Sequence, residues 1–364
     1  MIETVAILGA GNGGKAAAAD LALQGKTVRL FEFPEFAGNL SEIATDRTLQ
    51  ATGAVKGEAV LDRVTSDFAE AVDGADTIMV CTQALAHERT ARELVPFVSS
   101  NHLIILNPGS TGGALEFAHV FRESGISDLP TLAEFSTLTY GCRAQGAEVE
   151  IKVKAGRVLW GTLPSVAVET VGPDLEPLYP GLVRGASVLE AGLNNANPVI
   201  HPPIALLNAA RFERDGSRMR FYFDGVSPAV AGLIRKLDAE RMALLRALGY
   251  PAQPDPVTCV EQGYAESADY LECYSRGPGF IEFRSPNTLD HRYFHEDMGM
   301  GLVLFCDLGR LLGVPTPTCE AIVRMGSVIS GIDYLTAGRR TLKRLGLDGL
   351  SVNELKSYLE GGTL

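Results

Sequence analysis

The sequence predicts an α/β first half, built on a doubly wound parallel sheet with an antiparallel extension, followed by an all-helical second half. Three observations carry this expectation. A glycine-rich turn joins a short apolar run to an Ala-rich segment at the start. Apolar strands then alternate with helical stretches through Phe121, the rhythm of a parallel sheet. Beyond about Ser187 strand patterns vanish and apolar residues recur at helical spacing. A chain of 364 residues suits two domains, expected at residues 1–185 and 186–364.

Taken in order, Val5-Ala6-Ile7-Leu8 reads as a buried parallel strand. The turn Gly9-Ala10-Gly11-Asn12-Gly13-Gly14 follows it. Gly9 permits a tight turn, Gly11 leaves room for a pyrophosphate against the backbone, and Gly14 lets the next helix pack close to the strand. That helix, expected over Gly13–Gln24, ends near Gly25. Its free N–H groups and positive dipole end would face the phosphates. A second strand, Thr27–Phe31, ends at Glu32, about 20 residues past the turn, where a carboxylate accepts hydrogen bonds from an adenosine ribose. The glycine pattern alone is weak. Strand, turn, helix, strand and acid in this order define a Rossmann-type dinucleotide site. Glu32 favours NAD over NADP, whose 2′-phosphate would meet a like charge.

Thr77–Cys81 and Leu103–Leu106 read as further strands, and in such sheets ligands sit beyond the carboxyl ends of strands. Cys81, Thr82, Asn107, Pro108 and Gly109 are therefore expected at the cofactor, and Thr111, in the same "NPGSTGG" loop, at the substrate. The bland alternative for this loop is a Pro-Gly turn. "EVEIKVKAGRVLWGTL" alternates apolar and polar residues and predicts an antiparallel hairpin at the sheet edge, with Gly156 in its turn. "GPDLEPLYPG" predicts a surface connection. In the second half, helices are expected over "SPAVAGLIRKLDAERMALLRALG", "MGMGLVLFCDLGRLLG" and "CEAIVRMGSVISGIDY", and Ser351 with Glu354 forms a capping box at the last helix.

Composition excludes several function classes. A net charge of −12 argues against nucleic acid or an anionic membrane as partner. No apolar run reaches the roughly 18 residues of a membrane span, and the N-terminus enters a strand directly, so neither a transmembrane helix nor a signal peptide is expected. The six cysteines form no C-x-x-C pair and read as small buried hydrophobes of a reduced, cytoplasmic protein. No metal is expected: "HEDM" at His295–Met298 lacks the second histidine of a zinc helix.

Two stretches of the helical half concentrate chemistry: "NNANPVIHPPIALLNAARFE" and "PNTLDHRYFHEDMGMGL". A nicotinamide enzyme needs a proton donor or acceptor beside the carbon that exchanges hydride, and histidine suits that task. A carboxylate on the far ring nitrogen would fix the tautomer, which makes His201 and Asp297 a candidate pair if the fold joins them. The plain alternative for His201 is a structural histidine. Asn197, among the amides before His201, is a substrate-binding candidate. An anionic substrate on an acidic protein needs a guanidinium clamp. Arg292, Arg143 and Arg211 are available; Arg292 is preferred because it lies beside the acidic cluster, and a surface ion pair is the alternative for each.

The segments "GAGNGG", "LNPGSTGGALEF", "NPVIHPPIALLNAARFE" and "RYFHEDMGMGLV" occur together over essentially the whole chain, and in this combination the sequence resembles the opine dehydrogenases, their bacterial branch more closely than octopine dehydrogenase. The resemblance implies a cofactor-binding Rossmann domain and an all-helical domain that closes over the substrates. It implies a reductive condensation, or its reverse: the amine of an amino acid and the carbonyl of a 2-oxo acid such as pyruvate form an imine, which reduced nicotinamide reduces. It implies His201 as the catalytic histidine and Asp297 as its partner, with Arg292 as an anchor for a substrate carboxylate. His295 departs from the bacterial pattern, which has an aromatic residue there. The expected partners are an amino acid and a 2-oxo acid whose identities stay open at this point, and a homodimer is the expected assembly. Two other readings stay open: a two-domain reductase of the ketopantoate or glycerol-phosphate type, which would need a helical-half lysine where only Lys236 precedes the far tail, and a non-catalytic NAD-binding protein.

Overall fold

In the computed structural model, residues 2–364 are described, and they divide into two compact units. One runs up to Gly192 and includes the tail Ser357–Leu364; the other is Leu193–Lys356. The division falls a little beyond the expected residue 185, because the segment after Ser187 still packs on the first unit's sheet: a Cβ on Gly161 would lie 2.3 Å from the Ser187 carbonyl oxygen.

The strands of the first unit are, in order, β1 (Thr4–Leu8), β2 (Thr27–Phe31), β3 (Thr48–Gly53), β4 (Gly57–Val60), β5 (Arg63–Thr65) and β6 (Thr77–Val80). They continue as β7 (Leu103–Leu106), β8 (Thr131–Phe135), β9 (Tyr140–Gln145), β10 (Glu148–Lys154), β11 (Val158–Leu163) and β12 (Leu182–Arg184). The main sheet has the order β12-β11-β8-β7-β6-β1-β2-β5. From β8 to β5 all neighbours run parallel, while β11 is antiparallel to β8 and parallel to β12. This is the doubly wound sheet with an antiparallel extension. Strands β6 and β7 are apolar runs buried almost throughout, as parallel strands covered on both faces must be. The first helix, Asn12–Leu23, buries Ala16 to Ala19 because it packs against β1 and β2 and also against β3, β4, β9 and β10, and the small side chains allow close approach all round.

The expected hairpin of β10 and β11 does not form. Strand β10 belongs to a second sheet, β4-β3-β10-β9, parallel to β3 and antiparallel to β9. Its turn lies at Gly146, with φ +55°, not at Gly156. The physical reason is visible in burial. Strand β10 alternates buried and exposed residues over its first half, whereas β11 is buried along its whole length. A one-faced and a two-faced strand need different sheets. "GPDLEPLYPG" is likewise no surface connection: the helix Val168–Leu175 and a turn at Glu176–Leu178 cover it, with Leu175 and Tyr179 buried.

The second unit is helical, and among the described residues no named strand follows β12. The long helix Pro228–Leu248 is capped by Ser227, whose Oγ accepts from the Val230 N–H, and closed by Gly249 at φ +90°. The expected capping box forms as well: the Ser351 N–H donates to Glu354 Oε2 at 2.7 Å, and the Glu354 N–H to Ser351 Oγ at 3.3 Å. No helix among the described residues is long and apolar enough to cross a membrane.

Candidate active site

The glycine turn is built as its spacing requires. Gly9 has φ +104°, and a Cβ on Gly14 would lie 1.7 Å from the Gly9 carbonyl oxygen, so helix and strand meet at van der Waals contact. A Cβ on Gly11 would meet nothing within 4 Å. The space above it is open, beside the first N–H groups of the helix Asn12–Leu23, which no side chain caps. Gly13 packs under Leu138. Asn12 is tied to β9 on both levels: its Oδ1 accepts from the Ala144 N–H at 2.8 Å and its carbonyl from Cys142 Sγ at 3.3 Å.

Glu32 is buried and held by three donors. Its Oε2 accepts from the Ala10 N–H and from Asn39 Nδ2, each at 3.0 Å, and its Oε1 from the Phe33 N–H at 3.0 Å. It borders a cavity of about 520 Å³ shared with Gly9, Gly11, Phe33, Cys81 and Thr82. Thr82 Oγ1 is buried there without a hydrogen-bond partner, and burial pushes the Cys81 thiol pKa up, so that residue is an inert wall. An open cradle, uncapped N–H groups, a fixed carboxylate and an orphaned hydroxyl fit a dinucleotide.

The loop after β7 is tied down by neighbouring segments of the first unit. Asn107 is fully buried; its Nδ2 donates to Thr139 Oγ1 at 2.9 Å and its Oδ1 accepts from the Thr139 N–H at 3.1 Å. Its amide braces the segment between β8 and β9. A cis bond joins it to Pro108. A Cβ on Gly109 would lie 2.2 Å from Glu134 Cγ. Glu134, fully buried at the end of β8, accepts from the Gly112 and Ala114 N–H groups, each at 2.9 Å. This carboxylate sits at the start of the helix Gly113–Glu123, where an anionic ligand would otherwise bind. Thr111 is fully buried with φ +67°. Sequence reasoning missed Glu134; the available signal was a lone acid in the apolar strand "TLAEF".

In the helical unit, His201 and Asp297 come together. His201 lies within the helix Asn197–Leu207, which includes Pro202 and Pro203. Every residue from Pro198 to Leu206 is buried, and that packing holds a helix whose prolines lack N–H donors. Asp297 begins a π-helical segment, Asp297–Leu302, a geometry frequent at functional sites. His201 Nδ1 lies 2.8 Å from Asp297 Oδ2, with the two residues 3% and 1% exposed. A carboxylate accepts, so Nδ1 carries the proton and Nε2 is the basic atom of the neutral ring. Nε2 accepts from the Tyr222 hydroxyl at 2.9 Å. The Tyr293 ring covers the imidazole at 4.4 Å. Burial lowers the His201 pKa, and the adjacent Asp297 opposes that shift. Asp297 Oδ1 is buried without a partner, so the bond from His201 to Oδ2 is the hydrogen bond that this carboxylate makes. Tyr222 was not foreseen; "RFYFDG" carries no recognisable signature.

Arg292 bonds to Glu296 Oε1 at 3.3 Å and its side chain is 33% exposed. Of the three candidate clamps it alone bears on His201. Arg211 pairs with Asp215 at 3.3 Å on the surface, and Arg143 lies exposed on β9. Asn197 is half-buried at the first position of the His201 helix. His295 is held by Asp290 at 2.7 Å and by the Tyr334 hydroxyl at 2.8 Å, so both its nitrogens are engaged away from the His201–Asp297 pair.

A dinucleotide cradle on a parallel sheet and a buried His–Asp pair in a helical unit define a nicotinamide-dependent dehydrogenase. Residues 184–330 match the helical domain of NAD/NADP octopine and nopaline dehydrogenases, and residues 4–114 the N-terminal part of NAD-dependent glycerol-3-phosphate dehydrogenases. An opine dehydrogenase of Arthrobacter sp. (strain 1C) is 36% identical over 99% of this chain and 100% of its own length. A vitopine synthase of Allorhizobium ampelinum is 27% identical over 99% and 100%. A solved octopine dehydrogenase with NADH and L-arginine superimposes with a TM-score of 0.78 at 19% identity, covering 100% of this chain and 98% of that one. The chain belongs to the opine dehydrogenase family. It is an oxidoreductase acting on CH–NH bonds, and it joins the amine of an amino acid to a 2-oxo acid through an imine, or runs the reverse oxidation.

Proposed function

We propose that His201 and Asp297 carry the proton chemistry of this condensation, and that the Gly9–Gly14 turn, Glu32 and Thr82 hold NAD. The observation that carries the reading is the buried 2.8 Å contact between His201 Nδ1 and Asp297 Oδ2. When bound, reduced nicotinamide supplies the hydride that turns the imine into a secondary amine. Asp297 keeps the proton on Nδ1, so Nε2 is the atom that takes and returns protons as the amine adds to the carbonyl and the oxygen leaves. A carboxylate close to the ring also stabilises the imidazolium formed on the way. Arg292 anchors a substrate carboxylate through the nitrogens that Glu296 leaves free. Solved octopine dehydrogenases hold L-arginine or pyruvate beside NADH, and the same classes, an amino acid and a small 2-oxo acid, are assigned to this chain. Six free cysteines fit a reducing compartment, the cytoplasm.

The test is His201→Ala in an assay of NADH consumption that crosses amino acids with 2-oxo acids. NADH binding is expected to persist while turnover falls by a factor on the order of 10²–10⁴. Near-wild-type turnover overturns the assignment.

A further inference from the structure

Both nitrogens of the His201 ring are occupied. Asp297 takes Nδ1, so Nε2 alone can exchange a proton with a substrate, and Nε2 faces the Tyr222 hydroxyl at 2.9 Å. The histidine therefore reaches a substrate either through this hydroxyl or after the hydroxyl has moved aside. Packing decides between the two. The Tyr222 ring lies 4.8 Å from the rings of both Phe221 and Phe280 and 5.9 Å from that of Phe283, and the residue is 6% exposed. Its short helix is pinned by the Phe221 N–H to the Phe283 carbonyl and by the Arg220 N–H to Asp224 Oδ2, each at 2.7 Å. Swinging the phenol away would break an aromatic clamp. Arg292 is near enough to bear electrostatically on the phenol, which puts the carboxylate anchor and the hydroxyl in one neighbourhood.

We infer that Tyr222 is a catalytic residue, whose hydroxyl carries protons between His201 Nε2 and the reacting oxygen of the substrate. The inference rests on the His201–Asp297 reading above. In the condensing direction the carbinolamine must lose its oxygen as water. With His201 protonated on both nitrogens, the Tyr222 O–H proton passes to the carbinolamine oxygen while the Nε2 proton replaces it on the phenol. The C–O bond breaks towards oxygen, and the nitrogen lone pair closes the C=N bond. The products are water, a protonated imine, neutral His201 and an unchanged Tyr222. In the oxidative direction the same atoms move in reverse as water adds to the imine. No tyrosinate forms at any point, which suits a phenol whose pKa burial pushes well above the usual value.

The experiment is Tyr222→Phe, which keeps the ring and its aromatic neighbours and removes only the hydroxyl. The expected result is a kcat about 100-fold lower, KM values for both substrates changed less than about threefold, and loss of the pH-dependent limb of kcat. A kcat within about threefold of the unaltered chain overturns the relay, and so does a lowered KM at unchanged kcat, which marks a hydroxyl that merely stands in for substrate. If His201→Ala is also fully active, the underlying histidine reading has failed; if it is inactive while Tyr222→Phe is active, only the relay has. A second measurement needs no variant. In single turnovers of the unaltered chain across H₂O/D₂O mixtures, two protons moving together give a bowed dependence of rate on deuterium fraction. A straight line, or no solvent isotope effect, overturns the relay.

Discussion

Gly301 lies so close to Pro198 that a Cβ on it would come within 2.4 Å of the proline Cγ. This contact lets the π-helical segment Asp297–Leu302 approach the helix Asn197–Leu207, and it joins His201 to Asp297 across 96 positions of sequence. Gly301→Ala is expected to push the two segments apart. Overpacking of this kind costs about 1–3 kcal/mol, which a denaturant midpoint reads. Turnover should fall further than the stability loss explains, because the proton pair is stretched. A variant with normal kcat would show that the close approach does not set the pair's geometry.

Asp297→Asn tests the charge without changing the shape. An amide can donate to Nδ1 and so force the proton onto Nε2, the wrong tautomer for a base. Loss of kcat by a factor on the order of 10²–10⁴ is expected, with NADH affinity within about twofold of the unaltered chain. Equal turnover would assign Asp297 to structure alone.

Gly14 and Gly11 separate folding from binding within one turn. At Gly14 an added methyl would strike the Gly9 carbonyl at 1.7 Å, so Gly14→Ala should destabilise the first unit by about 3 kcal/mol or prevent its folding. At Gly11 nothing lies within 4 Å, so Gly11→Ala should fold normally. Its methyl would project towards the phosphates and weaken NADH at least about tenfold, a loss of about 1.4 kcal/mol. Titration of NADH fluorescence checks this, and unchanged affinity for Gly11→Ala would move the pyrophosphate elsewhere.

These glycines also show what the sequence could reveal. Turn, helix and acid are local, with spacings set by one strand–helix–strand unit, so Gly9, Gly14 and Glu32 were legible without coordinates. The hairpin error had the opposite origin. Alternation in "EVEIKVK" signals a one-faced strand, but only the three-dimensional arrangement says that β10 and β11 lie in different sheets. Glu134 and Tyr222 were invisible for a related reason: a single acid or phenol acquires meaning from the N–H groups or the imidazole opposite it, and these are distant in sequence. Asn107 was read from its position at a strand end, yet Thr139, outside the loop, takes both ends of its amide.

His291 supplies a pH prediction. Burial, then Arg292 beside it, lowers its pKa from 6.5 to about 4. The unfolded chain binds this proton near pH 6.5 and the folded chain only near pH 4, so the unfolded state holds more protons between them. Stability therefore falls as pH drops through that window and levels off below about pH 4. The contribution is at most about 2–3 kcal/mol after solvent screening. His201, also lowered by burial, acts in the same direction. His291→Asn keeps an acceptor for the Tyr293 N–H, which His291 Nδ1 caps at 3.4 Å. It should narrow the difference between urea midpoints at pH 7 and pH 4.5. An unchanged difference would assign the acid sensitivity to other groups.

Glu32 should decide between cofactors through charge more than shape. Its two oxygens already accept three hydrogen bonds, from Ala10, Phe33 and Asn39, so the carboxylate is fixed before any ribose arrives and cannot turn away from a 2′-phosphate. Glu32→Gln keeps the size but presents an NH₂ group to one of those donors and removes the negative charge. Loss of a charge-assisted hydrogen bond costs about 1.5–3 kcal/mol, so NADH affinity should fall roughly 10- to 100-fold. NADPH, freed from like-charge repulsion, should lose less, and the ratio of the two dissociation constants should move towards one. Measuring both constants on the same preparation separates general damage from discrimination: damage weakens both cofactors equally, and only the carboxylate's own repulsion changes the ratio.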